Sequence, residues 1–429
     1  MGKKNSKGKK NKRTSMQHRF VIPFCITLFL VTAVGIGGMA AYRWVMEPSG
    51  SMADAQFPPT VEVIEGRNEE EEEAQIEERK EEESVYNGKY ADVLNDPAYM
   101  AEHSIYTKDA VSPEEVTLTF AGDILFDEHY AVMARMIQNG GDISDGIAPD
   151  LISEMKSADI MMLNNEFPYS DRGEPLEDKQ FTFRARPSAV SYLRDLGVDV
   201  VSLANNHAYD YGETAFIDTM TTLEDAGIAY VGAGCNLQEA RQPVSYIIND
   251  IKIAIVSATQ IERLDNPDTK GATDSSAGVF RCWNGNNLLE TVREAKENSD
   301  FVVVYLHWGT ENETAIDWAQ EKQAAEVVEA GADLVIGDHS HCLQQISIVQ
   351  GVPVIYSLGN FWFNSKTLDT GMVKVTLNES GLQSCRFIAC KQSGCRTELL
   401  KGEEKDRVLE FMRSISDGVH IDGDGYVTW

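Results

Sequence analysis

Two histidines separated by one residue, His339 and His341, close the apolar run Ala332–Gly337. In a strand-like or loop backbone, residues i and i+2 project to one side, so both imidazoles can face one small volume, and imidazole suits divalent transition metals. Five further apolar runs end in residues of the same chemical kind. Thr117–Gly122 leads into Asp123, Asp159–Leu163 into Asn164, Asn165 and Glu166, and Val198–Ala204 into Asn205, Asn206 and His207. Phe301–Leu306 leads into His307, and Pro353–Ser357 into Leu358, Gly359 and Asn360. Any one of these is ordinary as a satisfied polar residue at a strand end. Together they form a ligand set of carboxylates, carboxamides and imidazoles.

Such residues converge only if the runs that carry them are neighbouring buried strands. Helical stretches alternate with these runs, as in Glu313–Ala330, where Ile316, Ala319, Ala324, Val327 and Val328 recur at helical spacing. Strand–helix alternation predicts an α/β fold, and open α/β sheets build their sites at the carboxyl ends of strands.

The segments GDILF, NNEFP, LANNHAYDYG, LHWGTE, GADLVIGDHSH and YSLGNFWF, in this order between about Val116 and Asn364, resemble the CapA/PgsA family of poly-γ-glutamate capsule biosynthesis proteins, in the calcineurin-like metallophosphatase superfamily. The resemblance implies a four-layer α/β/β/α metallophosphatase-like sandwich. It also implies a centre of one or two divalent ions (Mn, Fe or Zn) held by Asp123, Glu166, Asn206, His307, His339 and His341, with Glu166 as the bridge and His207 in the general-acid position. Such centres promote displacement at phosphorus.

One residue departs from the superfamily pattern. An Asp-x-His is usual at the first strand, whereas Asp123-Ile124-Leu125 has leucine in the third place. This leaves one metal a ligand short, so that the centre is mononuclear or is completed by Asp127, His129 or Asp210. A helix-surface histidine and a turn-capping carboxylate are the plainer readings of His129 and Asp210. For substrate contact the expected residues are Arg184, Asp210 and Asn360: Arg184 for bidentate grip of phosphate or carboxylate, with a structural salt bridge as its alternative, and the other two from turns that shape the pocket. A nucleophilic serine is not supported, since no Gly-x-Ser-x-Gly is present.

The chain has 429 residues and opens with eight basic residues and no acidic one in positions 1–19. Phe20 to Tyr42 holds no charged residue, and 23 residues at about 1.5 Å each cross a hydrocarbon core of about 30 Å. Residues 20–42 are thus expected to form a transmembrane helix, with residues 1–19 cytoplasmic and the rest extracellular. A cleaved signal peptide, with a small-residue site at Gly38-Met39-Ala40, is the alternative. Residues 43–115 read as an acidic disordered stalk, in which Glu65 to Glu83 holds eleven glutamates, and residues 116–429 as the extracellular domain. The net charge of −30 includes +8 from residues 1–19, so the remainder carries −38 and excludes nucleic acid as a partner.

Six cysteines follow the span, and Cys385, Cys390 and Cys395 are close enough in sequence for a local disulfide. The combined expectation is a membrane-anchored extracellular protein in the synthesis, export or remodelling of an anionic polymer such as poly-γ-glutamate, working with capsule-synthase membrane subunits. An active metal-dependent phosphoesterase on an envelope precursor or nucleotide, and a non-catalytic polymer- or partner-binding scaffold, are the alternatives.

Overall fold

In the computed structural model, residues 86–261 and 269–429 are described. The expected transmembrane helix and most of the expected acidic stalk lie outside these residues. Among the described residues no helix is long and apolar enough to cross a membrane.

Two mixed sheets carry the domain. The first runs, edge to edge, through Ile105–Thr107, Val244–Ile248, Ile251–Thr259, Phe301–His307, Leu334–Asp338, Val352–Ile355 and Ile346–Val349. The second is built around Val116–Ile124, with Ile160–Asn165, Val200–Ser202 and Ala229–Val231 on one side and the long hairpin Leu368–Asn378 and Gly381–Ser393 on the other.

Side-chain alternation along single strands sets the layers. Phe301, Val303 and Tyr305 enter one apolar core, while Val302, Val304 and Leu306 of the same strand enter another. In the second sheet Ile160 and Met162 join Phe301, Val303 and Tyr305, whereas Met161 and Leu163 face away. The shared core therefore lies between the sheets. The helices Asn286–Glu297 and Trp318–Ala330 cover the outer face of the first sheet, and Ala131–Asn139, Pro149–Lys156 and Gly212–Asp225 that of the second. Helix, sheet, sheet and helix make four layers. The Tyr305 hydroxyl ties the sheets together by donating to the Ala121 carbonyl at 3.0 Å.

Three expectations are corrected. The helix expected from Glu313 starts at Trp318, because Asp317 accepts from the backbone of Ala319 and Gln320 while Gln320 reaches back to it in a capping box. No disulfide forms among the described residues, since none of the six cysteines there is bridged to another. Cys385 and Cys390, five apart on one strand, face opposite cores. The spacer expected to reach residue 115 ends much earlier, because Ile105–Thr107 pairs in parallel with Val244–Ile248 and covers that edge.

Just ahead of this strand, Asp300 holds the segment in place. It accepts from Lys89, from the Tyr90 hydroxyl at 2.9 Å and from the Lys252 backbone at 2.9 Å. Burial alone would raise its carboxyl, but these donors hold it below the usual value. A depressed acid stabilises the fold above its ordinary pKa and stops doing so as pH falls through the folded value. Asp300→Ala is expected to cost about 1–2 kcal/mol at neutral pH, less at pH 3, and to speed proteolysis within residues 86–104. Limited proteolysis with thermal melts at both pH values checks this; unchanged cleavage and melting would sink it.

Candidate functional site

The first strand of the second sheet is irregular where chemistry begins. Its register with Ile160–Asn165 slips between Phe120 and Asp123, a bulge that re-aims the Asp123 carboxylate. Gly122 is required there, since a Cβ would stand 1.9 Å from the Gly359 carbonyl oxygen. That close approach brings the loop bearing Asn360 against Asp123. The strands ending at His307 and Asp338 lie side by side, and Gly337 lets the Tyr356 backbone pass at a distance no side chain would allow.

These strand ends bring together Asp123, Glu166, Asn206, His307, His339 and His341, every residue expected as a ligand. Three groups have ligand atoms within 4.8 Å of one another: Glu166 with His307 and His339, Asp123 with Glu166 and His341, and Asp123 with His307 and Asp338. Glu166, Asp123 and His307 each belong to two of these groups. His339 Nδ1 lies 3.1 Å from His307 Nε2, which is about the separation of two nitrogens sharing one ion at about 2.1 Å each. Asn206 Oδ1 lies 2.8 Å from the same His307 Nε2.

The strand-like alternation invoked for the histidine pair does not hold. The strand ends at Asp338, and His339 and His341 both adopt left-handed backbone, with φ of 81° and 57°. Such conformations are costly for a residue with a Cβ and recur at functional sites. The loop presents its imidazoles by two kinks rather than by pleating.

Electrostatics test whether a cation belongs here. Burial, together with the charges of Asp123 and Asp338, pushes the Glu166 carboxyl well above its usual range. Burial and Asp123 do the same to Asp338. Burial would also raise Asp123, but the His341 hydrogen bond and the charges of His341 and His307 outweigh it and hold it low. Burial drops His307 to about 3 and, with neighbouring imidazoles, drops His339 well below its ordinary value. The buried oxygens Glu166 Oε1 and Asp338 Oδ2 accept no hydrogen bond. Crowded carboxylates with orphaned oxygens, beside the His307 and His339 imidazoles kept neutral, make a donor set that fits a divalent transition ion.

Asp338, which the sequence reading passed over, accounts for part of what Leu125 withholds. Its Oδ1 lies 2.9 Å from His307 Nδ1, fixing that ring so that Nε2 faces the cluster. Leu125 is buried in the outer core of the second sheet. Of the three residues expected to replace it, none joins the cluster. Asp127 accepts from the backbone of His129 and Arg184, the His129 side chain is mostly exposed, and Asp210 faces elsewhere.

Asp210 and Asn360, expected to touch substrate, are instead buried supports. Asp210 Oδ2 lies 2.7 Å from His207 Nδ1 and accepts from the Phe183 backbone, while Oδ1 accepts from Lys179 at 2.6 Å. Lys179 also donates to the Asn206 carbonyl, so one buried ammonium steadies both Asn206 and the partner of His207. Nothing in the polar stretch around Lys179 announced that role. Asn360 Oδ1 lies 2.8 Å from His341 Nδ1 and orients that ring. His207 Nε2 is left facing the cluster, 3.9 Å from Glu166 Oε1. Arg184 is half-buried, stacked 4.2 Å over the Tyr211 ring, and makes no ion pair among the described residues.

Fold and site together define a four-layer α/β protein whose strand ends build a carboxylate–imidazole cluster of cation-binding type. The chain belongs to the bacterial capsule synthesis protein family PGA_cap, whose model matches residues 117–365 and so spans the expected ligands from Asp123 to His341. The capsule biosynthesis protein CapA of Bacillus anthracis is 29% identical over 317 residues, covering 70% of this chain and 75% of its own. The PGA biosynthesis protein CapA of Bacillus subtilis (strain 168) is 28% identical over 278 residues, covering 63% and 70%. Among solved structures, TT1561 of Thermus thermophilus overlays 62% of this chain and 97% of its own at 10% identity and a TM-score of 0.33, too loose to bear on the fold.

Proposed function

We propose that this protein acts in making or exporting an anionic surface polymer of the poly-γ-glutamate type, tethered to the membrane through residues 20–42 with its domain outside the cell. We further propose that its cluster holds one or two divalent metal ions and cleaves a phosphoester in that pathway. The observation that carries the catalytic part is the placement of His207. A histidine that merely filled space would not have Nδ1 fixed by a buried carboxylate and Nε2 turned toward Glu166.

Metal bound by Asp123, Glu166, Asn206, His307, His339 and His341 would supply Lewis acidity toward a phosphoryl oxygen and acidify water. The protein's own groups do the rest. Asp210 orients the His207 ring by accepting from Nδ1–H and supports its charged form, and Lys179 fixes Asp210. Once protonated to the imidazolium, His207 carries its second proton on Nε2, placed to pass to the leaving oxygen of an ester lying over Glu166. Arg184, its guanidinium on the Tyr211 face, suits a second phosphate or carboxylate of the substrate.

The test uses the protein's own host with the gene deleted. The intact chain is expected to restore surface polymer, Asp123→Ala is expected not to, and protease added to intact cells should cut the restored chain before Tyr86. Rescue by Asp123→Ala would remove the metal from the reading and favour a scaffold. A chain fully protected in intact cells would remove the topology.

A further inference from the structure

Two large indoles stand in solvent on the helix-covered side of the first sheet: Trp318, 69% exposed, and Trp283, 49% exposed. Their ring centroids are 6.4 Å apart with planes at 81°, so they form a corner rather than a stack. The corner walls a cavity of about 170 Å³ whose floor is made by Gln260 and Gln323. Gln260 is only 6% exposed and gives its Nε2 to Gln323 Oε1 at 3.2 Å. Its own Oε1 accepts no hydrogen bond among the described residues and so is open to a donor. Gln323 is spoken for, its Nε2 donating to the Cys282 carbonyl at 2.8 Å. The charged lining residues, Lys322 and Glu326, pair with each other at 3.3 Å.

A ligand for this corner must present apolar faces to two indoles, bring a donor to Gln260 Oε1, and carry no charge in need of a counter-ion. A carboxylate polymer fails the last condition, the more so on a chain of net charge −30. We propose that the corner seats one pyranose ring of a neutral saccharide, its C–H face on an indole and a hydroxyl donating to Gln260 Oε1. The Gln260 backbone N–H donates to the His307 carbonyl at 2.9 Å, so the seat and the cluster share a strand end. A glycan bound there lies beside the site.

Calorimetric titration of the full chain with the hexamers of β-1,4-linked glucose and of β-1,4-linked N-acetylglucosamine tests this. Saturable binding of at least one is expected. Trp318→Ala and Trp283→Ala should each weaken it about tenfold, the loss of one stacking face, at unchanged metal content. Gln260→Leu should weaken it several-fold. Binding of neither hexamer, or equal affinity in Trp318→Ala, would overturn the proposal. So would binding at this corner by poly-γ-glutamate or a proline-rich peptide in the hexamers' place.

Discussion

Alanine at both His339 and His341 is expected to strip tightly bound transition metal to background while the domain stays folded. The two imidazoles serve different groups of the cluster, His339 with Glu166 and His307, His341 with Asp123 and Glu166, so their joint loss breaks both and leaves whole only the group of Asp123, His307 and Asp338, where His307 Nδ1 is already engaged by Asp338. Deleting a group that merely orients a ligand typically costs 10–100-fold in metal affinity, so losing two ligands should exceed about 100-fold. Folding should survive because neither side chain belongs to the three apolar cores. Both residues sit in left-handed backbone, which alanine tolerates somewhat less well than histidine, a local cost confined to the loop. Elemental analysis after dialysis, with circular dichroism as the control, decides it. Metal at the level of the unmutated protein would refute the site.

His207→Ala should act on rate rather than on metal. Its Nδ1 is held by Asp210 and its ring lies 4.2 Å from that of Phe183, an arrangement that fixes Nε2 over the cluster without making it one of the grouped ligands. General-acid catalysis is worth roughly 10²–10⁴-fold, and turnover of an alkyl phosphoester should fall by about that much at unchanged metal content. A nitrophenyl ester, whose leaving group needs little protonation, should lose far less. Asn206→Ala should instead lose metal. Equal losses of both esters in His207→Ala would reassign the imidazole to binding, and no turnover of any phosphoester by the unmutated protein would favour a scaffold.

The strand-end residues could be read in the sequence because buried strands announce themselves as continuous apolar runs, and a polar residue that ends such a run has few other reasons to be there. That logic pointed to Asp123, Glu166 and His307, and to Asn206 and His207 at the end of another run, while the separate duties given to the last two rest on the family resemblance. It passed over Asp338, because a carboxylate just ahead of two histidines reads as the end of the strand rather than as a partner for His307, which lies 31 residues away. It gave Asp210 and Asn360 to substrate because both lie in turns. Only three-dimensional pairing shows their oxygens already engaged with His207 and His341. Lys179 could not be read at all, since an ammonium in a polar loop looks solvated until the loop folds over it. The same limit moved the domain's start. Residues 86–107 are too polar and too broken for strand patterning, and they become ordered structure by lending backbone hydrogen bonds to an edge that needs covering.

Asp300, which clasps the incoming chain at Lys89 and Tyr90, stands just before the strand Phe301–His307, and the cluster stands at that strand's other end, about 20 Å away. The domain thus has a back and a front. The chain segment at Lys89 and Tyr90 packs at one pole of this strand, and the carboxylate–imidazole cluster occupies the other. The cluster can therefore be approached without passing the segment that Asp300 clasps.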